Sequence, residues 1–111
     1  MTCCTDIEAI GFTDKFLNGI YTFTGTYISG RHLYVKENKV FGIWFNGEYG
    51  DEAAWEIGYM TSITKNLKSY SAYNINKDTS CASLTKVWKE YFNKQWTYST
   101  KATVKCVSGD N

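Results

Sequence analysis

The stretch WTYSTKATVKC, Trp96 to Cys106, decides how this chain is read. Trp96, Tyr98, Ala102, Val104 and Cys106 share one parity, and Thr97, Ser99, Lys101, Thr103 and Lys105 share the other. An extended strand with one buried face imposes that period of two. The pattern predicts a single strand that sends Trp96 and Tyr98 into the core. YTFTGTYISGRHLY, Tyr21 to Tyr34, carries the same signal: Tyr21, Phe23 and Tyr27 oppose Thr22, Thr24 and Thr26, with strand-favouring residue types throughout. Gly25 interrupts the ring face and marks a bend or bulge there. The rings from Tyr21 to Tyr27 are read as packing.

Working outward, further strands are predicted over Asp6 to Phe12, His32 to Lys36, Val40 to Phe45, Ala54 to Met60 and Lys68 to Tyr73. Turn signals separate them at Asn18-Gly19, Ser29-Gly30, Glu37-Asn38-Lys39, Asn46-Gly47, Tyr49-Gly50-Asp51, Asn74 to Asp78 and Asn93-Lys94. Ser83 to Trp96 reads two ways. Leu84, Val87, Trp88, Tyr91 and Phe92 lie three and four apart, as on a helix face, whereas the density of Val, Trp, Tyr and Phe favours a strand ending at Asn93-Lys94. The strand is preferred. The fold class is therefore all-β, a small antiparallel sandwich or partly open barrel of about eight strands, with one short helix near 84–92 as the alternative. An internal echo, N-x-x-[YW]-T-[FY]-[ST] at Asn18 and again at Asn93, is attributed to convergent strand chemistry.

The 111 residues have no low-complexity break and make one domain, 1–111. A chain of this size buries roughly two thirds of its unfolded surface. Four Trp, nine Tyr and six Phe supply large apolar area from few positions. No run approaches the ~20 apolar residues of a membrane span. The first sixty residues carry four basic residues against eight acidic ones, about −4, and the remainder eight lysines against three acids, about +5. With one Arg and no basic run of three, this polarity argues against nucleic acid and for attraction within the fold or between copies.

Cys3, Cys4, Cys81 and Cys106 are an even set without a C-x-x-C pair, which speaks for disulfides rather than zinc. Bridging neighbours is strained, so Cys3–Cys4 with Cys81–Cys106 is discounted. Both remaining connectivities staple the N-terminus to the C-terminal region. A Cys4–Cys106 bridge would close a loop of about 100 residues and stabilise by about 4.7 kcal/mol on chain-entropy grounds. Disulfides place the protein in an oxidising, extracellular setting. No signal-peptide pattern follows Met1, and no N-x-S/T sequon occurs.

Catalytic sets are sparse. His32 is the one histidine, there is no G-x-S-x-G elbow, and bridged cysteines cannot attack. His32, beside a turn, is read as an exposed surface residue. Glu48, Asp51, Glu52 and Glu56 form the one acidic cluster; it suits a solvated loop, a calcium site without the EF-hand spacing, or a pair of acids for hydrolysis. Rings near turns, Tyr34, Tyr49, Trp55 and Tyr59, are freer to meet a ligand than those on patterned faces. The candidate ligand-binding set is Arg31, Tyr34, Glu48, Asp51 and Trp55.

N-G-x-Y at Asn18 to Tyr21, G-R-x-x-Y at Gly30 to Tyr34, I-W-F at Ile43 to Phe45 and W-x-I-G at Trp55 to Gly58 occur in that order, followed by a Trp-bearing segment and a final Cys. The chain thereby resembles a cysteine-bounded β module that recurs in secreted and receptor-ectodomain proteins of marine invertebrates. Members often carry Pro after the Arg, where this chain has His32. The resemblance implies an extracellular β module, used alone or appended to other domains, and implies no catalytic residue.

Three functions follow as expectations. The first is a secreted, non-enzymatic binding module, lectin-like, for a glycan or an extracellular protein. The second is a secreted ligand recognised by a receptor or by its own copy. The third is a small hydrolase using Glu48 and Asp51, or an inhibitor of one.

Overall fold

A computed structural model describes residues 2–47, 53–64, 70–75 and 79–107. Nine strands form one antiparallel sheet: β1 (Asp6–Ile10), β2 (Gly19–Ile28), β3 (Arg31–Lys36), β4 (Phe41–Asn46), β5 (Ala54–Tyr59), β6 (Ala72–Asn74), β7 (Trp88–Phe92), β8 (Gln95–Tyr98) and β9 (Thr103–Cys106). Their spatial order is β8-β7-β6-β5-β4-β3-β2-β1-β9. Eight strands meander, and the ninth lies beside the first.

That order sets a geometric problem. Strands β8 and β9 hold opposite edges, yet only residues 99–102 join them. Eight strand spacings laid flat would span roughly 38 Å at ~4.8 Å each. The connection reaches at most roughly 17 Å at ~3.4 Å per residue. The sheet must therefore curl until its edges approach one another, which gives a half-barrel with a filled concave side. Of the two architectures expected, the partly open barrel is the one formed.

The stretch Trp96 to Cys106 is thus two strands and not one. Asn93 and Lys94 both adopt positive φ, 53° and 65°, and make the two-residue turn whose twist suits a hairpin. This turn pairs Tyr91 with Trp96 and Lys89 with Tyr98. Paired residues share a face, and Trp88 and Glu90 point inward, so Trp96 and Tyr98 point outward. They are 41% and 62% exposed, which corrects the expectation that both are core. Ala102, the last residue of the connection, and Val104 of β9 are buried inside. The helix over 84–92 is not formed either: Ala82–Leu84 is a 3-10 turn and Trp88–Phe92 is strand. The short α-helix, α1, is Met60–Thr64.

The expectation that the rings from Tyr21 to Tyr27 are packing holds for Tyr21 and Phe23 and fails for Tyr27, which is 57% exposed. Tyr21 is fully buried and Phe23 packs against the core. The β2–β3 register slips between Phe23 and Tyr27, with Gly25 at φ +88°, and beyond the slip Tyr27 is exposed. Ser29 and Gly30, both at positive φ, turn β2 into β3. The two copies of the internal echo face opposite ways, since Tyr21 and Phe23 line the concave side while Trp96 and Tyr98 line the convex one.

The concave side holds Ile7, Tyr21, Tyr34, Ile43, Trp55, Ile57, Trp88 and Val104 around Leu17 of the 3-10 turn Lys15–Leu17. Each amphipathic ring there finds an acceptor for its polar tip. The hydroxyls of Tyr21 and Tyr34 donate to the carbonyls of Leu17 and Cys4, both at 2.7 Å. The indoles of Trp55 and Trp88 donate to the Thr79 carbonyl at 3.0 Å and to the Thr85 hydroxyl at 3.1 Å. Burial of these groups with partners avoids the ~1–3 kcal/mol penalty of an unsatisfied polar atom.

Where the sheet's edges approach, a buried carboxylate joins three segments. Glu90 of β7, fully buried, accepts from the backbone amides of Thr13 (2.8 Å) and Asp14 (2.9 Å) and from the Ser99 hydroxyl (2.6 Å). Phe12 meets Trp88 edge-on at 5.6 Å beside it. Gly11, at φ +86°, packs so closely on the Lys101 carbonyl that a Cβ would collide with it. Burial alone would raise the Glu90 pKa, but the hydrogen bonds from Ser99, Asp14 and Thr13 outweigh it and hold the group below its ordinary value.

The cysteines pair as Cys3–Cys81 and Cys4–Cys106, one of the two connectivities left open. Neighbouring residues in extended chain point opposite ways, which sends Cys3 toward the 3-10 turn at 82–84 and Cys4 toward β9. The charge halves also meet here, since Glu8 of β1 pairs with Lys105 of β9.

Two outcomes are expected. Replacing Cys4 and Cys106 together by Ser should lower stability by about 2–5 kcal/mol in urea unfolding; an unchanged midpoint would show that the bridge does not clamp the ends. Glu90→Gln should lose about 2 kcal/mol at pH 7, the scale of a hydrogen bond to a charged group. The depressed pKa means that this contribution is present above the unfolded value of about 4.3 and is lost as pH falls through the folded one. The variant's deficit should therefore shrink in acid, and a pH-independent deficit would contradict the assignment.

Candidate functional site

The convex face of the sheet carries a row of side chains that cross-strand pairing puts in line. Trp44 of β4 pairs with Glu56 of β5, Glu56 with Tyr73 of β6, Tyr73 with Lys89 of β7, and Lys89 with Tyr98 of β8. Direct partners on one face lie roughly 4.5–5.5 Å apart at Cβ, so consecutive members are neighbours. The order is ring, carboxylate, ring, ammonium, ring.

A concavity of about 460 Å³ opens over this row, lined by Glu56, Tyr70, Tyr73, Lys89 and Tyr98, with Ala53, Ala54, Asn74 and Ile75 toward one end. Its size falls within the usual range for small-molecule sites. The rings support one another: Tyr73 meets Tyr70 edge-on at 5.7 Å and Trp96 at 5.2 Å, and Tyr91 lies 5.4 Å from Trp96. The Lys89 ammonium sits 4.7 Å over the Tyr98 ring. Elsewhere on the sheet, Gly42 is so close to the thioether of Met60, the first residue of α1, that no Cβ would fit between them.

Glu56 is 5% exposed, unusual for a carboxylate on a sheet's outer face. Its donors among the described residues are neutral: the Asn46 amide at 3.5 Å from both oxygens, and the Trp44 side chain. Burial dominates and pushes the Glu56 pKa up to about 7, with the bonds from Asn46 and Trp44 countering only part of the rise. The two buried carboxylates thus have opposite characters. Glu90 is ionised by three short hydrogen bonds and serves the fold; Glu56 is left near its titration point beside a cavity.

The residues expected to bind a ligand are distributed otherwise. Tyr34 and Trp55 are fully buried on the concave side, with the Tyr34 hydroxyl pushed up to about 12 by burial. They are interior rings and not loop-proximal surface ones. Arg31 opens β3, and its guanidinium lies 3.6 Å over the Phe45 ring. Glu48 and Asp51, with Tyr49 and Glu52, lie outside the described residues, and so does the calcium or hydrolytic chemistry expected of them. The structure therefore does not assemble Arg31, Tyr34 and Trp55 into one surface. His32 is half-buried, its ring tilted against that of Phe23 with centroids 3.9 Å apart, and burial lowers its pKa, so it is not the exposed residue expected. Tyr59 is half-exposed and stacks on Phe41 at 4.8 Å.

The sequence does not place Tyr70, Tyr73, Lys89 or Tyr98 in the expected binding set, and its alternation assigns Tyr98 to the core. A signal for two of them exists in the hairpin itself: once Asn93-Lys94 is taken as a two-residue turn, Lys89 must face Tyr98. Among the described residues no group of three or more His, Cys, Asp or Glu side chains is placed to hold a metal ion. Among them, too, no helix is long and apolar enough to cross a membrane. No family model, curated protein or solved structure matches this chain.

A raised carboxylate pKa carries a stability cost of definite sign. The contribution of Glu56 is fully present below the unfolded value of about 4.3 and is lost as pH rises toward 7. Glu56→Gln should be more stable than the parent at pH 8 by on the order of 2 kcal/mol, and the difference should vanish near pH 4.5. Denaturant midpoints at the two pH values test this; a variant that is destabilised equally at both would show Glu56 to be a structural group.

Proposed function

We propose that this protein is a secreted, non-enzymatic carbohydrate-binding module that uses the convex row Glu56, Tyr73, Lys89 and Tyr98. The observation that carries the reading is the placement of a ring between a hydrogen-bond acceptor and a donor, one strand to either side. A pyranose presents a face of C–H groups that lies well on an aromatic ring, and a rim of hydroxyls that both donate and accept. Centred on Tyr73, such a sugar meets the Glu56 carboxylate on one side and the Lys89 ammonium on the other. Tyr98, two strands from Tyr73, extends the platform for a longer chain. Apolar walls with a few placed polar groups are the general recipe of a small-ligand site.

Two bridges support an oxidising, extracellular setting. The cysteine-bounded module that the sequence resembles has the same setting. Recognition of a sugar by a small set of rigid rings also suits a half-barrel whose outer face is already ordered by the sheet, since little side-chain freedom is lost on binding.

Tyr98→Ala tests the reading, because an exposed side chain can be removed without opening the core. A glycan array followed by titration of the strongest hit should show more than tenfold weaker binding for the variant, the scale of an aromatic hot spot. Absence of any bound glycan, or equal affinity of variant and parent, would overturn it.

A further inference from the structure

Resting on that reading, we infer that the sugar bound on the convex row carries a basic amine, a 2-amino-2-deoxy pyranose, and that Glu56 is the residue that selects it. Glu56 is a carboxylate almost wholly withdrawn from water at the wall of a cavity, and its described donors are the neutral Asn46 amide and Trp44 side chain. Desolvating a carboxylate without a cation is costly, and a cation that enters the cavity recovers that cost. The other walls favour the same guest: Tyr70, Tyr73 and Tyr98 present ring faces and edges, and π-faces attract ammonium groups. The molecule already makes one such contact internally, Lys89 on Tyr98.

Lys89 sets the orientation. It stands on the far side of Tyr73 from Glu56, two strand spacings away, roughly 10 Å between backbones. The row is thus polarised, negative at β5 and positive at β7, with a ring at the centre. A neutral sugar can lie on it in either sense. An amino sugar is fixed with its ammonium toward Glu56 and its hydroxyl and ring oxygens toward Lys89, since the reverse places two cations together. Specificity of this kind comes from the repelled arrangement as much as from the favoured one. The pKa of Glu56, near 7, makes the preference sensitive to pH: among the described residues Lys89 is the charged group across Tyr73 from it, and the amine of a bound ligand would favour its ionised form.

The test uses the intact, disulfide-bonded chain and three probes of equal length: tetramers of β-1,4-linked glucosamine, N-acetylglucosamine and glucose. At pH 7.5, calorimetric titration should give the glucosamine tetramer at least tenfold tighter binding than either neutral one. Glu56→Gln should abolish that advantage, bringing the glucosamine tetramer to within about threefold of the same variant's affinity for the glucose tetramer. In the parent, the advantage should also fall at pH 5.5, where Glu56 is protonated, and this arm stands even if the variant does not fold. Equal affinity for the three tetramers, an advantage that survives Glu56→Gln, or one that does not change with pH would overturn the inference and leave carbohydrate binding in place. Failure of all three to bind, together with an empty glycan array, would overturn both.

Discussion

Four residues, 99–102, join strands that lie at opposite edges of a nine-stranded sheet, and this short tether governs the rest of the molecule. A flat sheet cannot satisfy it, so the strands curl and the concave side becomes a core. Closure then needs something at the seam, and the chain uses a buried carboxylate. Glu90 receives two backbone amides from the segment after β1 and one hydroxyl from the tether itself. Hydrogen bonds replace the strand ladder that would finish a full barrel, and the Cys4–Cys106 bridge holds the β1–β9 side of the same closure.

Curling also divides the aromatic residues into two populations. Those on the concave side, Tyr21, Tyr34, Trp55 and Trp88, are buried with their polar tips bonded. Those on the convex side, Tyr70, Tyr73, Tyr91 and Trp96, pack on one another at the surface of the β6–β8 corner, with Tyr98 beside them under the Lys89 ammonium. Surface rings held in place by ring neighbours and strand pairing form a rigid platform, and rigidity is what a weak polar ligand most needs from its site. Glu56 stands at the edge of that platform in a position that works against stability near neutral pH. Ionisable groups kept at such cost concentrate at sites of function, which is why the candidate site is placed here and not at the better-satisfied Glu90.

Much of this was legible from residue order. Alternation located nearly every strand, the turn pairs Ser29-Gly30 and Asn93-Lys94 occur where positive φ is needed, Gly25 marked the register slip in β2, and cysteine placement implied a staple between the chain's ends. The site was not legible. Tyr34 and Trp55 looked like surface rings because each adjoins a loop in sequence, but alternation within β3 and β5 turns both inward. Trp96 and Tyr98 looked like core because they share a parity with Ala102 and Val104.

The sequence by itself determined that this is a disulfide-stapled all-β chain, because period-two patterning, turn chemistry and cysteine placement are local properties that each segment carries alone. Only the tertiary structure decided which face of each strand meets the core. Parity is a phase, and a phase does not survive a turn that carries the chain from one edge of the sheet to the other. When both faces bear rings, as at Trp96 and Tyr98, the phase is set by the strand paired alongside, here by Trp88 and Glu90 pointing inward.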